Sequence, residues 1–227
     1  MDSGVAEAEA RRPLGIRDRN KLDRRQRIRE TARDVFCDRG YIDATTREIC
    51  DRAGVGNGTL FRHAADKREL LLLIVNDDLD HLHADVGQVI RTEIKQKSLR
   101  EKVLKFYGVR YEYFAKYPQI SRPYVKEAFN FMGVKPEDVG PEARRHRARR
   151  IDLVSELRTI VADEIARNGD ASAQAQLIAD LIHSIYLSAS RQWLEASELD
   201  ASKGLHQFAK LLDLAARGFG TEWARQK

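Results

Sequence analysis

The spacing of apolar residues is the feature that most restricts what this 227-residue chain can fold into. From Lys21 onward, apolar side chains recur every three or four residues, which places them on one face of an α-helix. Proline and glycine, which interrupt helices, number only five and fourteen. Alternation typical of a β-strand is not convincing anywhere in the sequence. We therefore predict an all-α protein.

Composition and motif content exclude several classes of protein. The longest apolar run, Leu70 to Val75, falls far short of the ~18 residues that cross a membrane, and no apolar signal segment opens the chain. Cys37 and Cys50 match no zinc or redox spacing, so we expect two buried thiols. No catalytic signature surrounds a serine or a cysteine. These features predict a cytoplasmic protein that is not an enzyme and has no membrane partner, metal or cofactor.

Caps and breakers divide the helical pattern into elements. The first helix is expected from about residue 23 to 39, with Gly40 as its stop, and Thr45 or Thr46 is a natural cap for a short second helix. The glycine-rich stretch 54–58 then leads into another short helix, and Asp66 caps a long one. Further helices are predicted at roughly 99–116, 119–131, 142–168, 173–197 and 202–219.

Two short helices separated by a glycine turn form the helix-turn-helix pattern, in which the second helix enters the major groove of DNA. Ile49, Ala53, Val55 and Leu60 are able to close a small core behind it. The polar side chains of the second helix then point outward, as DNA contacts require. The glycines at 54, 56 and 58 do not have the spacing of a nucleotide-binding loop.

Residues 24 to 72 resemble the N-terminal DNA-binding domain of the tetracycline-repressor (TetR) family of transcriptional regulators. The matching residues are Ile28, Ala32, Phe36, Gly40, Tyr41, Thr45, Thr46, Ile49, Ala53, Gly54, Val55, Gly58, Thr59, Leu60, His63, Lys67 and Leu70. The resemblance implies the DNA-contacting positions Thr46, Asn57, Thr59, Phe61, Arg62, His63 and Lys67. Two residues depart from the family pattern: Phe61 stands where Tyr is usual, and Ala64 where Phe is common.

Positive charge is concentrated near the N-terminus. The chain carries a net charge of +5, yet residues 11–29 alone hold nine Lys or Arg against two Asp, or +7. We predict a basic flexible arm at 1–20 and a DNA-binding domain at 21–80. The basic residues from Arg11 to Arg29 are expected either to lie beside the duplex, where they add phosphate contacts or reach into the minor groove, or to form a solubilising tail. Residues 81–227 are predicted to form a helical ligand-binding and dimerisation domain, whose boundary lies inside the long helix after Asp66.

Aromatic residues cluster between residues 106 and 131, which hold nine of the chain's seventeen. Core packing explains part of this cluster, and the remainder is typical of a small-molecule site. The TetR resemblance also implies an inducer pocket in the C-terminal helices. Our candidate ligand-binding residues are Tyr107, Tyr111, Phe114, Tyr124 and Phe129.

The last two predicted helices carry more apolar surface than one internal face needs, which indicates a self-complementary interface. In the TetR family two such helices from each subunit form a dimer bundle. Our candidate interface residues are Leu181, Ile185, Trp193, Phe208 and Leu212.

Two charged segments have plainer interpretations. The stretch 76–85 places Asp77 and His81 one helical turn apart, a spacing compatible with metal binding, but a solvated charged helix is the favoured interpretation. The run 142–150 carries five Arg residues and is interpreted as a solvated face or a contact with acidic groups.

Together these features predict a homodimeric repressor that binds a palindromic operator in double-stranded DNA and is released by a small-molecule effector. One alternative is a regulator of the same fold that binds DNA or a protein partner without any ligand. Another is an all-α enzyme using a tyrosine, Glu112 or His183 in the predicted pocket.

Overall fold

The computed structural model describes residues 15–130, 139–167 and 174–218, and these contain helices and no strand. The prediction of an all-α protein is confirmed. The helices are α1 Ile16–Asp43, α2 Thr46–Ala53, α3 Asn57–His63, α4 Lys67–Thr92, α5 Leu99–Lys116, α6 Pro118–Asn130, α7 Pro141–Arg167, α8 Ala175–Leu194 and α9 Ala201–Arg217.

Residues 16–20 of the predicted arm are helical, because α1 begins at Ile16. The carbonyl of Gly15 accepts hydrogen bonds from the amides of Asp18 and Arg19, which closes the first turn. Asp18 also places a negative charge at the positive end of the helix dipole. Residues 1–14 of the predicted arm lie outside the described residues.

The helix-turn-helix unit forms through local signals that the sequence displays. Gly40 breaks α1 with a φ of 77°, and the Thr45 hydroxyl accepts a hydrogen bond from the Glu48 amide at 3.1 Å to cap α2. Gly54 then ends α2 in the left-handed region, with a φ of 62°, where a side chain is strained.

Helix α4 runs through the centre of the molecule and joins its two parts. Each residue from Leu70 to Val75 is 0% exposed, as expected of a helix that other elements surround on all sides. It packs against α1 on the N-terminal side and against α5, α6 and α7 in the helical body. Asp66 caps it by accepting a hydrogen bond from the Glu69 amide.

The helical body is closed by α8 and α9, which pack against each other, with α9 also packing against α5 and α8 against α7. The backbone of α9 approaches the aromatic side chains closely at Gly204, where an added Cβ would lie 2.7 Å from Tyr111 and 2.8 Å from Trp193. Cys50 is buried and Cys37 is partly buried. None of the described helices is long and apolar enough to cross a membrane.

Helix α7 is fixed to α4 by a buried carboxylate. Glu69 is 1% exposed and accepts hydrogen bonds from the amides of Glu142 at 2.8 Å and Ala143 at 3.0 Å, which are unpaired donors in the first turn of α7. A Cβ added at Gly140 would lie 2.3 Å from the carboxyl carbon of Glu69. The carboxylate therefore serves as the N-terminal cap of a helix distant in sequence.

Candidate functional site

Helix α3 presents a polar surface above a buried anchor. Leu60 is 0% exposed and holds the helix on the small core formed with α1 and α2, while Asn57 and Arg62 face solvent. Arg62 donates a hydrogen bond to the Thr59 hydroxyl at 3.2 Å. Phe61 is 48% exposed, which is unusual for a large aromatic ring on a short helix.

The remaining candidate DNA contacts flank α3. Thr46 begins α2 and is half-buried, as is His63 at the end of α3. Lys67 directs its ammonium group to the carbonyl oxygens of Ile42 at 2.8 Å and Ala44 at 3.0 Å. This lysine therefore ties the end of α1 to the start of α4 with two of its three donors.

Part of the N-terminal positive charge is neutralised inside the protein. Arg25 lies 3.2 Å from Asp77 and 3.1 Å from Glu142. Arg29 lies 3.5 Å from Asp78, and Arg33 binds the same carboxylate at 2.5 Å. The interpretation of Arg25 and Arg29 as part of a DNA-contacting charge is therefore corrected, because α1 uses them to dock onto α4 and α7.

The arginines of α7 complete this network from the other side. Arg145 binds Asp77 at 2.5 Å and also Asp80, and Arg149 binds Asp80. The carboxylates of residues 77–80 on α4 therefore form an ion-pair network with arginines of α1 and α7. The interpretation of this segment as a solvated charged face was wrong. The arginine run of α7 was interpreted either as a solvated face or as a contact with acidic groups. Its contacts with Asp77 and Asp80 support the second interpretation.

The aromatic cluster divides into a packed core and a cavity wall. Tyr107 stacks on Tyr186 with ring centroids 4.1 Å apart and contacts Phe208 edge-on, and Tyr111 packs on Trp193 at 5.0 Å. Tyr107 and Tyr111 are buried in this core and do not line the cavity. The side chain of Phe129 lies outside the described residues.

A cavity of about 180 Å³ lies between α4, α5, α6, α7 and α8. Of the predicted ligand residues, Phe114 and Tyr124 form part of its wall. Its other apolar lining comes from Val125, Leu153 and Leu187. Its polar lining includes His83, Arg110, His146 and His183, together with Asp80 and Arg149 of the ion-pair network.

Sequence reasoning did not single out Arg110 as a site residue. Arg110 donates from Nε to the Tyr186 hydroxyl at 2.7 Å and from Nη1 to Nε2 of His83 at 3.1 Å. Its carbon Cζ lies 5.5 Å from the ring centroids of Phe114 and Tyr186. A charged residue on the same helical face as Tyr107 and Phe114 was the signal that would have identified it.

The histidines around the cavity are neutral at physiological pH. Burial lowers the pKa of His83 to about 2, and lowers the pKa of His146 and His183 to about 4, with the charge of Arg110 adding to the effect. His146 and His183 hydrogen-bond through Nδ1 to the hydroxyls of Tyr124 and Tyr107, respectively. Arg110 therefore supplies the positive charge at the base of the cavity.

Comparison with known proteins places this geometry in a family. Residues 28–74 match the N-terminal domain of the bacterial regulatory proteins of the tetR family. A transcriptional activator, FasR of Mycolicibacterium smegmatis, is 38% identical over 102 residues, which are 43% of this chain and 47% of FasR. Residues 28–74 are therefore a DNA-binding domain of the tetR type.

Solved TetR-family structures share the fold over most of the chain. A regulator from Pectobacterium atrosepticum is 25% identical with a TM-score of 0.61, covering 88% of this chain and 95% of its own. The repressor FadR of Thermus thermophilus, solved with lauroyl-CoA, is 21% identical with a TM-score of 0.60, covering 86% and 94%. The chain spans about half the length of FasR. FasR and the two solved proteins are transcriptional regulators rather than enzymes.

The predicted dimer residues occupy two environments. Leu181 is 53% exposed on α8, and Ile185 and Leu212 are half-buried. Phe208 is 0% exposed and Trp193 is 9% exposed, because both pack against the aromatic core of their own subunit. The apolar surface of α8 and α9 instead continues through Leu177 and Leu214, which are 70% and 48% exposed.

Proposed function

We propose that this chain is a ligand-responsive transcriptional repressor that binds a palindromic operator in double-stranded DNA as a homodimer. The observation that carries the proposal is the docking of the helix-turn-helix unit, through Arg25 and Arg29, onto the same acidic segment of α4 that borders the cavity. A DNA-reading helix and a ligand-sized cavity are thereby joined by a continuous set of contacts.

The surface of α3 supports the DNA-binding role. Asn57 and Arg62 are exposed hydrogen-bonding side chains on a helix that Leu60 anchors from below. Arg62 is suited to a bidentate contact with guanine or to a phosphate, and Asn57 to adenine. Thr46, Thr59, Phe61, His63 and Lys67 complete the proposed surface, with Lys67 retaining one donor for a phosphate.

The exposed apolar side chains of α8 and α9 support the homodimer. Leu177 and Leu181 are one turn apart on α8, and Leu214 extends the apolar surface on α9. A two-fold axis through this surface buries it against its own copy. The same symmetry presents two recognition helices to successive major grooves of a palindromic site.

Two routes link the cavity to the helix-turn-helix unit. In the first, Arg149 and Asp80 on the cavity wall connect through Arg145 to Asp77, which binds Arg25. In the second, α6 lines the cavity with Tyr124 and packs directly against α1. An effector that favours one arrangement by about 1–3 kcal/mol changes DNA affinity roughly 5- to 150-fold.

The effector role is supported by the Thermus thermophilus FadR structure, which has the same fold and holds lauroyl-CoA. That protein is a repressor, whereas the Mycolicibacterium smegmatis relative FasR is named an activator. We propose repression for this chain. A promoter fusion decides the direction, because deletion of a repressor raises expression from its own target and deletion of an activator lowers it.

The test of DNA reading is selection of operator fragments from genomic DNA by the purified full chain. We expect palindromic sequences, and we expect Arg62→Ala to weaken binding by about 1–3 kcal/mol when it contacts a base. Arg158→Ala removes an exposed arginine of α7 and serves as the charge-matched control. Equal loss in both variants, or selection of no common sequence, contradicts the assignment of α3.

A further inference from the structure

We propose that the cavity binds a small monocarboxylate with a ring-sized apolar body, and that Arg110 holds its carboxylate group. The inference rests on the proposed effector role of the cavity and adds the chemical class of the effector. It is carried by a cation whose hydrogen-bond partners among the described residues are neutral.

The contacts of Arg110 leave its charge uncompensated. Its hydrogen bonds go to the Tyr186 phenol and to the neutral ring of His83. Within the described residues no carboxylate forms an ion pair with it. Lys102, another cation of the helical body, has Glu164 at 2.9 Å. A guanidinium is charged at every physiological pH, so an unpaired one in a cavity favours an anion.

Hydrogen-bond donors are in excess around this guanidinium. Because Arg110 is only able to donate, Nε2 of His83 accepts, and the neutral ring carries its hydrogen on Nδ1. That nitrogen is enclosed without a hydrogen-bond partner among the described residues, and so is Nε2 of His183. Both nitrogens are covered by protein atoms, so the donors that a ligand meets in the cavity are those of Arg110. A carboxylate offers two acceptor oxygens in the plane of a guanidinium.

The acidic residues around the cavity do not neutralise Arg110. Asp80 is held by Arg145 and Arg149, and Glu156 lies 3.4 Å from Arg91. Asp152 and Arg150 are both exposed, so solvent screens their charges. One unmatched positive charge therefore remains at the base, which favours a monoanion over a dianion or a cation.

The size and lining of the cavity define the rest of the ligand. Its volume of about 180 Å³ is close to the ~150 Å³ of an apolar cavity that accepts benzene. Phe114, Val125, Leu153 and Leu187 provide apolar walls for a body of that size. An acyl-CoA, the ligand of the Thermus thermophilus FadR structure, exceeds this volume and would have to extend out through the opening of the cavity to solvent.

The test is calorimetric titration of the full chain with benzoate, phenylacetate and 3-phenylpropionate, each paired with its uncharged amide, and with lauroyl-CoA. We expect at least one acid to bind about tenfold or more tightly than its amide. Arg110→Gln should remove that preference and leave amide binding unchanged. Arg158→Gln, which removes an exposed arginine of α7, should bind like the wild type.

Three outcomes overturn the proposal: none of the acids binds, an acid and its amide bind equally well, or Arg110→Gln keeps the preference. Binding of lauroyl-CoA alone overturns the size assignment. Operator affinity of the same preparations, measured without ligand, tests the proposed function separately. If the chain binds an operator but none of the acids, only the proposed ligand class is rejected. If it binds an acid but no operator, the proposed function as a transcriptional regulator is rejected.

Thermal unfolding without ligand distinguishes a binding role for Arg110 from a structural one. We expect Arg110→Met to change the unfolding temperature little, because removal of an uncompensated cation offsets the loss of its hydrogen bonds to Tyr186 and His83. A large drop in the unfolding temperature of Arg110→Met identifies Arg110 as a structural residue and overturns the proposal.

Discussion

At the scale of single residues, the informative side chains are polar groups in apolar surroundings. Glu69 precedes the apolar run of α4 and is buried, yet its carboxylate is fully used by two amides of α7. Arg110 lies among aromatic rings, and its hydrogen-bond partners in the described part of the chain are all neutral. The first arrangement stabilises the fold, whereas the second is suited to an external partner.

We predict that Glu69→Ala lowers the free energy of unfolding by about 1–3 kcal/mol, because two buried amides lose their acceptor. Glu69→Gln retains one carbonyl oxygen and should lose less. Urea unfolding of the purified chain measures both changes. Glu93→Gln, an exposed acid at the end of the same helix, is the control and should unfold like the wild type. Equal stability of Glu69→Ala and this control contradicts the capping role.

At the scale of elements, α1 has two surfaces with different tasks. One face packs Ile28, Ala32 and Phe36 into the core shared with α2 and α3. Another carries Arg25, Arg29 and Arg33 onto the carboxylates of α4. Because α7 contributes Arg145 to the same carboxylates, the position of the helix-turn-helix unit depends on a helix of the cavity wall.

We predict that Arg145→Gln lowers the free energy of unfolding by about 1–3 kcal/mol, because partly buried Asp77 loses a charged hydrogen-bond partner. Asp77→Asn in the same chain should cost less than the sum of the two single changes, as expected for residues in one network. Urea unfolding of the four proteins measures this coupling. Arg100→Gln removes an exposed pair with Asp213 and should change nothing measurable. Strict additivity of Arg145→Gln and Asp77→Asn rejects the network.

At the scale of the whole molecule, α8 and α9 divide their apolar side chains between the core and the surface. The large aromatic residues of this region, Trp193 and Phe208, serve the core of their own subunit. Exposed leucines remain at 177, 181 and 214. This division separates residues that stabilise the subunit from those available to a second copy.

We predict that Leu181→Glu converts a dimer into a monomer, because it places two charges at a desolvated two-fold interface. Light scattering coupled to gel filtration measures the mass directly. Ile42→Glu, which changes a residue 85% exposed at the end of α1, should retain the dimeric mass. A monomeric wild type, or a dimeric Leu181→Glu variant, rejects this surface as the interface.

The sequence by itself determined the helices, several of their caps and the helix-turn-helix unit. Thr45, Asp66 and Gly54 act on atoms a few residues away, so their roles as caps are visible in the order of residues. The prediction for α5, 99–116, coincides with the observed helix because Ser98 and Glu101 form a capping box at its start. Such contacts do not depend on how distant elements pack.

Tertiary structure alone decided which polar residues meet. The cavity draws its walls from five helices, and its charge comes from Arg110, whose surroundings are set by α4, α6 and α8. Tyr107 and Tyr111 belong to the core because α9 covers them with Phe208 and Gly204. Asp77 and Arg145 are 68 residues apart, and only the packing of α7 on α4 brings them together. Local contacts fix a helix, whereas the environment of its side chains depends on helices far away in the chain.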